Sequence, residues 1–345
     1  MKKTLAILLT TAGIVGLTSC GQPSAGSASV STETEAVSTE METTEPEETE
    51  AVREVPEKAP LIEMEEDLDP NDGADLAAGA YDHADSEYYS HPDFYNMKNS
   101  DRVTIIEQYQ SLQQTNAWTC GCCAVLSALN HFGVDKYTEW DLAVAMKTST
   151  DMDVEGAEPG SANSWYEMGN SLSNLMRFLE NCPELTVVET NYKPEYAPEE
   201  LVTEADTEDF SYNPLQIGNA KKTFSSMSLY TSDNDPASEN YVDDAKDSYF
   251  VKWLTGHLSA GRPIMIHNNF WNGHWVALIG YDNMGTPAIS DDMLIFADPW
   301  DTSDHWQDGY TYRPLEEFFF AQWQDMNWAS KPYQLQPYIV LDKAL

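Results

Sequence analysis

Apolar residues recur at helical spacing across residues 120–132, where Cys122, Val125, Leu126, Leu129 and Phe132 share one face and Gly133 follows as a stop. This predicts a helix with Cys120 at its amino end. Three further helical patterns follow. Residues 138–147 begin on a capping Thr138, residues 170–181 align Leu172, Leu175, Met176 and Leu179, and residues 243–259 align Phe250, Leu254 and Leu258. The period then changes. Short apolar runs at residues 263–267, 274–282, 292–298 and 336–341 are bounded by turn residues and read as strands, with a hairpin-length connection at 283–291. Strands after helices predict an α+β domain in which an antiparallel sheet packs on a buried helix. The amphipathic segment 314–323 is expected to cover one flank.

The amino-terminal part lacks these periods. Lys2 and Lys3, an apolar run over residues 5–17 and Leu17-Thr18-Ser19-Cys20-Gly21 form the charged, hydrophobic and small-residue series of an export signal. The apolar run is too short for a durable membrane span. A Cys placed directly after small residues resembles the bacterial lipoprotein box. That resemblance implies loss of residues 1–19, a lipid anchor at Cys20 and a location on the extracytoplasmic face of a bacterial cell membrane. Residues 20–60 are rich in Ser, Thr, Glu and Pro and cannot bury enough apolar surface to offset chain entropy, so they are expected to form a disordered acidic tether. Residues 61–99 stay open between a linker and an N-terminal flap, with Tyr88, Tyr89, Phe94 and Tyr95 favouring some packing. Residues 100–345 are long enough for one domain, with an acidic insert near 189–247.

Charge narrows the partners. A formal net charge of −40 repels phosphate backbones, which argues against nucleic acid. The Cys-Gly-Cys-Cys run at residues 120–123 has no second Cys or His cluster at finger-like spacing, so neither a metal nor a cofactor is expected. Cys122 reads as core and Cys123 as a small residue under the site; a disulfide from either to Cys182 stays open.

Four residues carry candidate chemistry. Cys120 sits at a predicted helix start, where the helix field stabilises a thiolate, and Gly121 is expected to leave the backbone open to a substrate. The amide of Gln114 and the backbone amide of Cys120 would together receive a developing oxyanion. Of the seven histidines, His274 is preferred as base because it follows the Asn272-Gly273 turn and begins an apolar strand, whereas His267 fits a core or supporting role. Asp298 ends the next strand and Pro299 turns the chain there, so its carboxylate can orient the imidazole; Asp282, Asp291 and Asp292 read as loop acids. Trp118, Trp275 and Trp300 flank these positions as shields or as core. A thiol, a base, an orienting carboxylate and an oxyanion donor are the minimum set for cysteine acyl transfer.

Gln114-x5-Cys120-Gly121, Gly273-His274-Trp275-Val276-Ala277-Leu278-Ile279-Gly280-Tyr281-Asp282 and Asp298-Pro299-Trp300 resemble the motifs of the papain-like cysteine peptidases. Among these the chain is similar to the bacteriocin-processing (double-glycine) peptidase-like family, family thirty-nine of the cysteine peptidases. The resemblance implies a papain-like fold with its nucleophile on the amino end of a buried helix. It also implies a peptide or protein substrate, with Cys120 as nucleophile, His274 as base, Asp298 as orienter and Gln114 as oxyanion donor. Cys122-Cys123 replaces the small residue and Pro usual after Cys-Gly, and the chain between Cys120 and His274 is longer than in compact members. A transglutaminase-like acyl transferase and a silent surface module binding peptide or glycan remain as alternatives.

Overall fold

The computed structural model describes residues 59–60, 62, 73–77, 92–148, 169–192, 224, 226–230, 248–270, 273–302, 304, 306–323 and 336–345. All lie in one unit, Arg53–Leu345. The expected export signal, Cys20, almost all of the expected tether and most of the acidic stretch near 189–247 lie outside the described residues.

In chain order the elements are β1 (Val103–Ile105), α1 (Cys120–His131), α2 (Glu139–Met146), α3 (Leu172–Leu179), β2 (Leu185–Thr190), α4 (Tyr249–Ser259), β3 (Ile264–Asn268), β4 (His274–Asp282), β5 (Met293–Ala297), β6 (Tyr310–Pro314) and β7 (Tyr338–Lys343). The strands form one seven-stranded sheet in the order β2-β7-β3-β4-β5-β6, with β1 also pairing β4. Each pairing is antiparallel. The fold is α+β, and the helices and long strands follow the apolar periods of the sequence.

The caps explain the helix boundaries. Thr138 Oγ1 accepts from Asp141 N at 3.1 Å while Asp141 Oδ2 accepts from Thr138 N at 2.9 Å, a reciprocal capping box that starts α2. Ser171 and Ser248 cap α3 and α4 by accepting from Asn174 N and Val251 N. α1 ends at Phe132, and the left-handed Gly133 (φ 81°) turns the chain away.

α1 departs from expectation in one respect. Every residue from Cys120 to Leu129 is buried, so the helix has no solvent face over that length. It packs on β4 and on α2, and α2 in turn packs on α3. Such confinement requires small side chains. A Cβ on Gly121 would lie 3.0 Å from both Asn170 Nδ2 and Leu175 Cδ1. Gly121 therefore admits the close approach of α3 and its leading loop; this corrects the expectation that it opens the backbone to a substrate.

Three strands escape the periodic pattern. β1 has only three residues, β2 buries Leu185 and leaves the rest half-buried or exposed, and β6 ends in Pro314. β2 and β6 are the sheet edges, where Pro is tolerated. The flank expected at 314–323 is a short helix, Leu315–Glu317, running into a π turn, Phe318–Gln322. Phe318, Phe319 and Trp323 from this segment are buried. They join an aromatic cluster with Phe224 and Phe250 at ring separations of 4.7–6.2 Å.

The chain ahead of residue 100 contributes to the domain where it is described. Phe94 packs on Tyr310 and Tyr312 at 5.9 and 5.7 Å. Ala74 is fully buried, its N–H donating to Gln114 O at 3.0 Å and its carbonyl accepting from Gln307 Nε2 at 2.6 Å. At the far end of the expected tether, Ala59 is buried and Pro60 O accepts from Gln113 N at 3.2 Å, so packing begins before residue 61.

Two glycine substitutions should move stability in opposite directions. Gly256 lies exposed inside α4, with nothing within 4 Å of an added Cβ. Gly256→Ala is expected to stabilise by about 0.5–1 kcal/mol through helix propensity. Gly121→Ala should destabilise by about 1–3 kcal/mol through overpacking. Urea denaturation of both variants checks the pair.

Candidate active site

β4 and β5 pair with Ala277 opposite Ala297, which brings the start of one strand beside the exit of the other. His274 is the first residue of β4 and Asp298 the first after β5. Their side chains meet there: His274 Nε2 donates to Asp298 Oδ1 at 2.6 Å, with both residues buried. Asp298 Oδ1 also accepts from Trp300 N at 3.0 Å and Asp301 N at 3.2 Å. The turn that Pro299 introduces thus aims two backbone donors at the carboxylate that holds the imidazole.

Burial opposes charge on His274, but the Asp298 carboxylate, its hydrogen bond and the Cys120 thiol outweigh it and raise the imidazole to about 10. Burial likewise disfavours the Asp298 carboxylate, yet the imidazolium, Arg313 and the backbone donor of Asp301 hold it down at about 2. The pair is ionic over a broad pH range. With Nε2 given to Asp298, Nδ1 is the imidazole nitrogen left for Cys120.

Cys120 is the first residue of α1, and its thiol is near enough to His274 to help raise the imidazole. The preceding Thr119 occupies the N-cap position but makes no side-chain cap bond. Its hydroxyl donates instead, in a short contact, to Glu139 Oε1 and also lies 3.0 Å from Asn116 Oδ1. Gln114 is buried beside these residues. Its backbone N–H donates to Pro299 O at 2.9 Å, tying it to the Asp298 turn, and its Nε2 donates to Asn116 O at 2.7 Å. That bond uses one of the two amide N–H groups and leaves the second.

The structure thus pairs His274 with Asp298, sets Cys120 near that imidazole and anchors Gln114 to the same turn. His267 is elsewhere: its ring packs edge-on against Trp275 at 5.0 Å and lies where a Cβ on Gly273 would stand, only 2.9 Å away. Among the competing acids, Asp282 binds Arg102 through both carboxylate oxygens at 2.6 Å, Asp291 binds Thr286 at 2.8 Å and Asp292 binds Tyr281. Trp118 and Trp275 are buried, and Trp275 Nε1 donates to Asn170 O at 2.7 Å.

The other thiols stand apart from this chemistry. All four described cysteines are free. Burial pushes Cys122 up to about 12, and its Sγ sits 3.3 Å from Thr148 Oγ1 and 3.4 Å from Asn170 Nδ2. Burial, then the Glu139 charge, raises Cys123 well above the usual thiol range. Cys182 donates to Glu184 at 3.4 Å, between α3 and β2. No group of three or more metal-ligating side chains converges among the described residues.

Two residues that pattern reading passes over prove central. Asn170 touches Thr148, Cys122 and Trp275 while backing Gly121. Glu139 is fully buried, accepting from Thr115 N at 3.2 Å, from Thr115 Oγ1 at 3.0 Å and from Thr119. Burial pushes its carboxyl up to about 7 against those donors. An acid in the first turn of a helix ordinarily reads as a solvated complement to the dipole, which hides a buried one. The only visible signal was its place beside Trp140 in the apolar start of α2.

The family model described as Peptidase_C39 like family matches residues 169–330. The matched stretch contains His274 and Asp298 and begins after Gln114 and Cys120. No curated protein matches the chain. The chain is therefore similar to C39-like cysteine peptidases.

The ion pair carries a pH signature. The folded His274 titrates near 10, above its ordinary 6.5, so its contribution is complete below pH 6.5 and drains away as pH rises towards 10. The folded Asp298 titrates near 2, below its ordinary 3.8, so the same interaction is lost on the acid side between 3.8 and 2. Asp298→Asn should lower unfolding free energy by roughly 3 kcal/mol at pH 5–6. The gap from wild type should shrink as pH approaches 10, as urea melts across pH will read.

Proposed function

We propose that this chain, similar over residues 169–330 to the C39-like cysteine peptidases, is a papain-like thiol hydrolase acting on a peptide or amide bond. The carrying observation is the 2.6 Å bond from His274 to Asp298 with the Cys120 thiol near the same imidazole. That order of groups supports nucleophile, base and orienter in the roles their chemistry suits. With His274 already an imidazolium, Cys120 attacks the carbonyl carbon as the thiolate of an ion pair. The resulting oxyanion is received by the Cys120 backbone N–H and the remaining Gln114 amide proton. Collapse expels the amine, which leaves with the proton from the imidazolium, and a Cys120 thioester remains. Water, deprotonated by His274, then attacks the thioester, releases the carboxylic acid and returns the thiol.

The substrate is a peptide or protein, approached from outside the cell. Lys2, Lys3, the short apolar run and Cys20 support export and a lipid anchor on the outer face of a bacterial membrane. The acidic, Pro- and Thr-rich residues that follow support a tether between anchor and enzyme.

Iodoacetamide at neutral pH, followed by peptide mapping, is expected to modify Cys120 ahead of the buried, raised Cys122 and Cys123. Cys120→Ala should reduce hydrolysis of a fluorogenic peptide library by roughly 10⁴-fold or more. Equal labelling of all thiols, or activity surviving in the variant, contradicts the reading. Added amine appearing in the product in place of water would identify acyl transfer to amines. Radiolabelled palmitate fed to expressing bacteria should enter the wild-type chain and fail to enter Cys20→Ser.

A further inference from the structure

Five residues separate Gln114 from Cys120, and both ends of that segment are held by one side chain outside it. Thr115, next to Gln114, gives Glu139 its backbone N–H and its hydroxyl at 3.2 and 3.0 Å. Thr119, next to Cys120, gives Glu139 its hydroxyl. The Cys123 thiol, one turn along α1, also lies close to this carboxyl. These donors converge on a carboxylate with no solvent exposure and no cation among its hydrogen-bond partners.

A buried carboxylate bound only to neutral donors costs more than a neutral amide or an apolar side chain in the same space. Glu139 therefore calls for a role in what its carboxyl oxygens hold, beyond filling the space. Two consequences follow from its position. It sets the spacing between the two groups that would receive an oxyanion, because it pins a residue adjacent to each. It also draws the Thr119 hydroxyl away from α1, whose first turn consequently has no side-chain cap. Thr is a strong capping residue, and a capped first turn would turn amide donors towards its own hydroxyl and away from a ligand.

We propose that Glu139 is a positioning residue for the oxyanion site: by holding Thr115 and Thr119 it spaces the Gln114 amide from Cys120 and keeps the amino end of α1 uncapped for substrate. It touches no substrate. The proposal rests on Cys120 as nucleophile, so its test needs a reaction that uses the oxyanion site and one that uses only the thiol.

p-Nitrophenyl acetate and iodoacetamide supply that contrast on the full chain. Acylation by the ester passes through a tetrahedral oxyanion and releases p-nitrophenolate as the acetyl thioester forms. Alkylation by iodoacetamide displaces iodide at a saturated carbon and forms no oxyanion. Glu139→Gln, nearly isosteric, should slow Cys120 acylation by about 10- to 100-fold, the scale of a misplaced oxyanion donor, while alkylation of Cys120 stays within about twofold. Thr119→Val should reproduce the selective loss and Thr119→Ser should restore wild-type behaviour; this pair decides the matter if Glu139→Gln fails to fold. Equal loss of both reactions would mean that Glu139 merely supports the thiol or the fold, and unchanged acylation would mean that it does not position the site. Either result overturns the proposal. Cys120→Ala gives the ester background, and a wild-type Cys120 that reacts with neither reagent overturns the hydrolase reading itself and this proposal with it.

Discussion

Everything in the domain is arranged around a helix that has no outside. From Cys120 to Leu129 α1 presents no residue to solvent, so each of its directions must be filled by another element. An ordinary surface helix needs one apolar stripe; a central one needs close neighbours on all sides and small residues where they meet. Gly121 and Ala124 meet that demand, with Asn170 and Leu175 against the former. The constraint also fixes where reactive groups can emerge. A buried helix reaches the surface of its core only at its ends, and the amino end is the one that carries a favourable field for anions.

The sheet solves the complementary problem. A charged imidazole and carboxylate inside protein are tolerable only when they face each other with further donors in place. Antiparallel pairing of β4 with β5 supplies that meeting, since an incoming and an outgoing strand share one edge of the sheet. The backbone turn after Asp298 supplies the additional donors from Trp300 and Asp301. Gly309 closes the arrangement, its carbonyl accepting from Asp298 N and its N–H donating to Asp301 Oδ2 at 2.5 Å. The geometry of the pair is a property of strand register more than of loop shape.

Much of this was legible in the residues. α1, α2 and β4 announce themselves by long apolar periods and by turn residues at their ends, and His274 and Asp298 were legible because each borders such a strand. Cys120 was legible because the helical pattern begins on it. What stayed hidden had physical causes. β1 is too short to show alternation, and edge strands β2 and β6 are short, with only Leu185 buried in the one and no alternation of burial in the other. Gly121 read as an opening because its neighbours across α3 are remote in sequence, and Glu139 drew no reading because nothing local marks its burial. Long-range closeness leaves no periodic trace; the contact between Asn170 and Trp275 spans more than a hundred residues.

The anchoring of residues 59–60 and 74 has a mechanical meaning. Pro60 O takes the N–H of Gln113, and Ala74 takes the carbonyl of Gln114, so two early stretches of chain are stitched to consecutive residues of the same short segment. That segment continues through Thr115 and Thr119 into the first turn of α1. Tension applied to the chain ahead of Ala59 is therefore borne first by the backbone of Gln113 and Gln114, at the site's own edge, and only afterwards by the sheet.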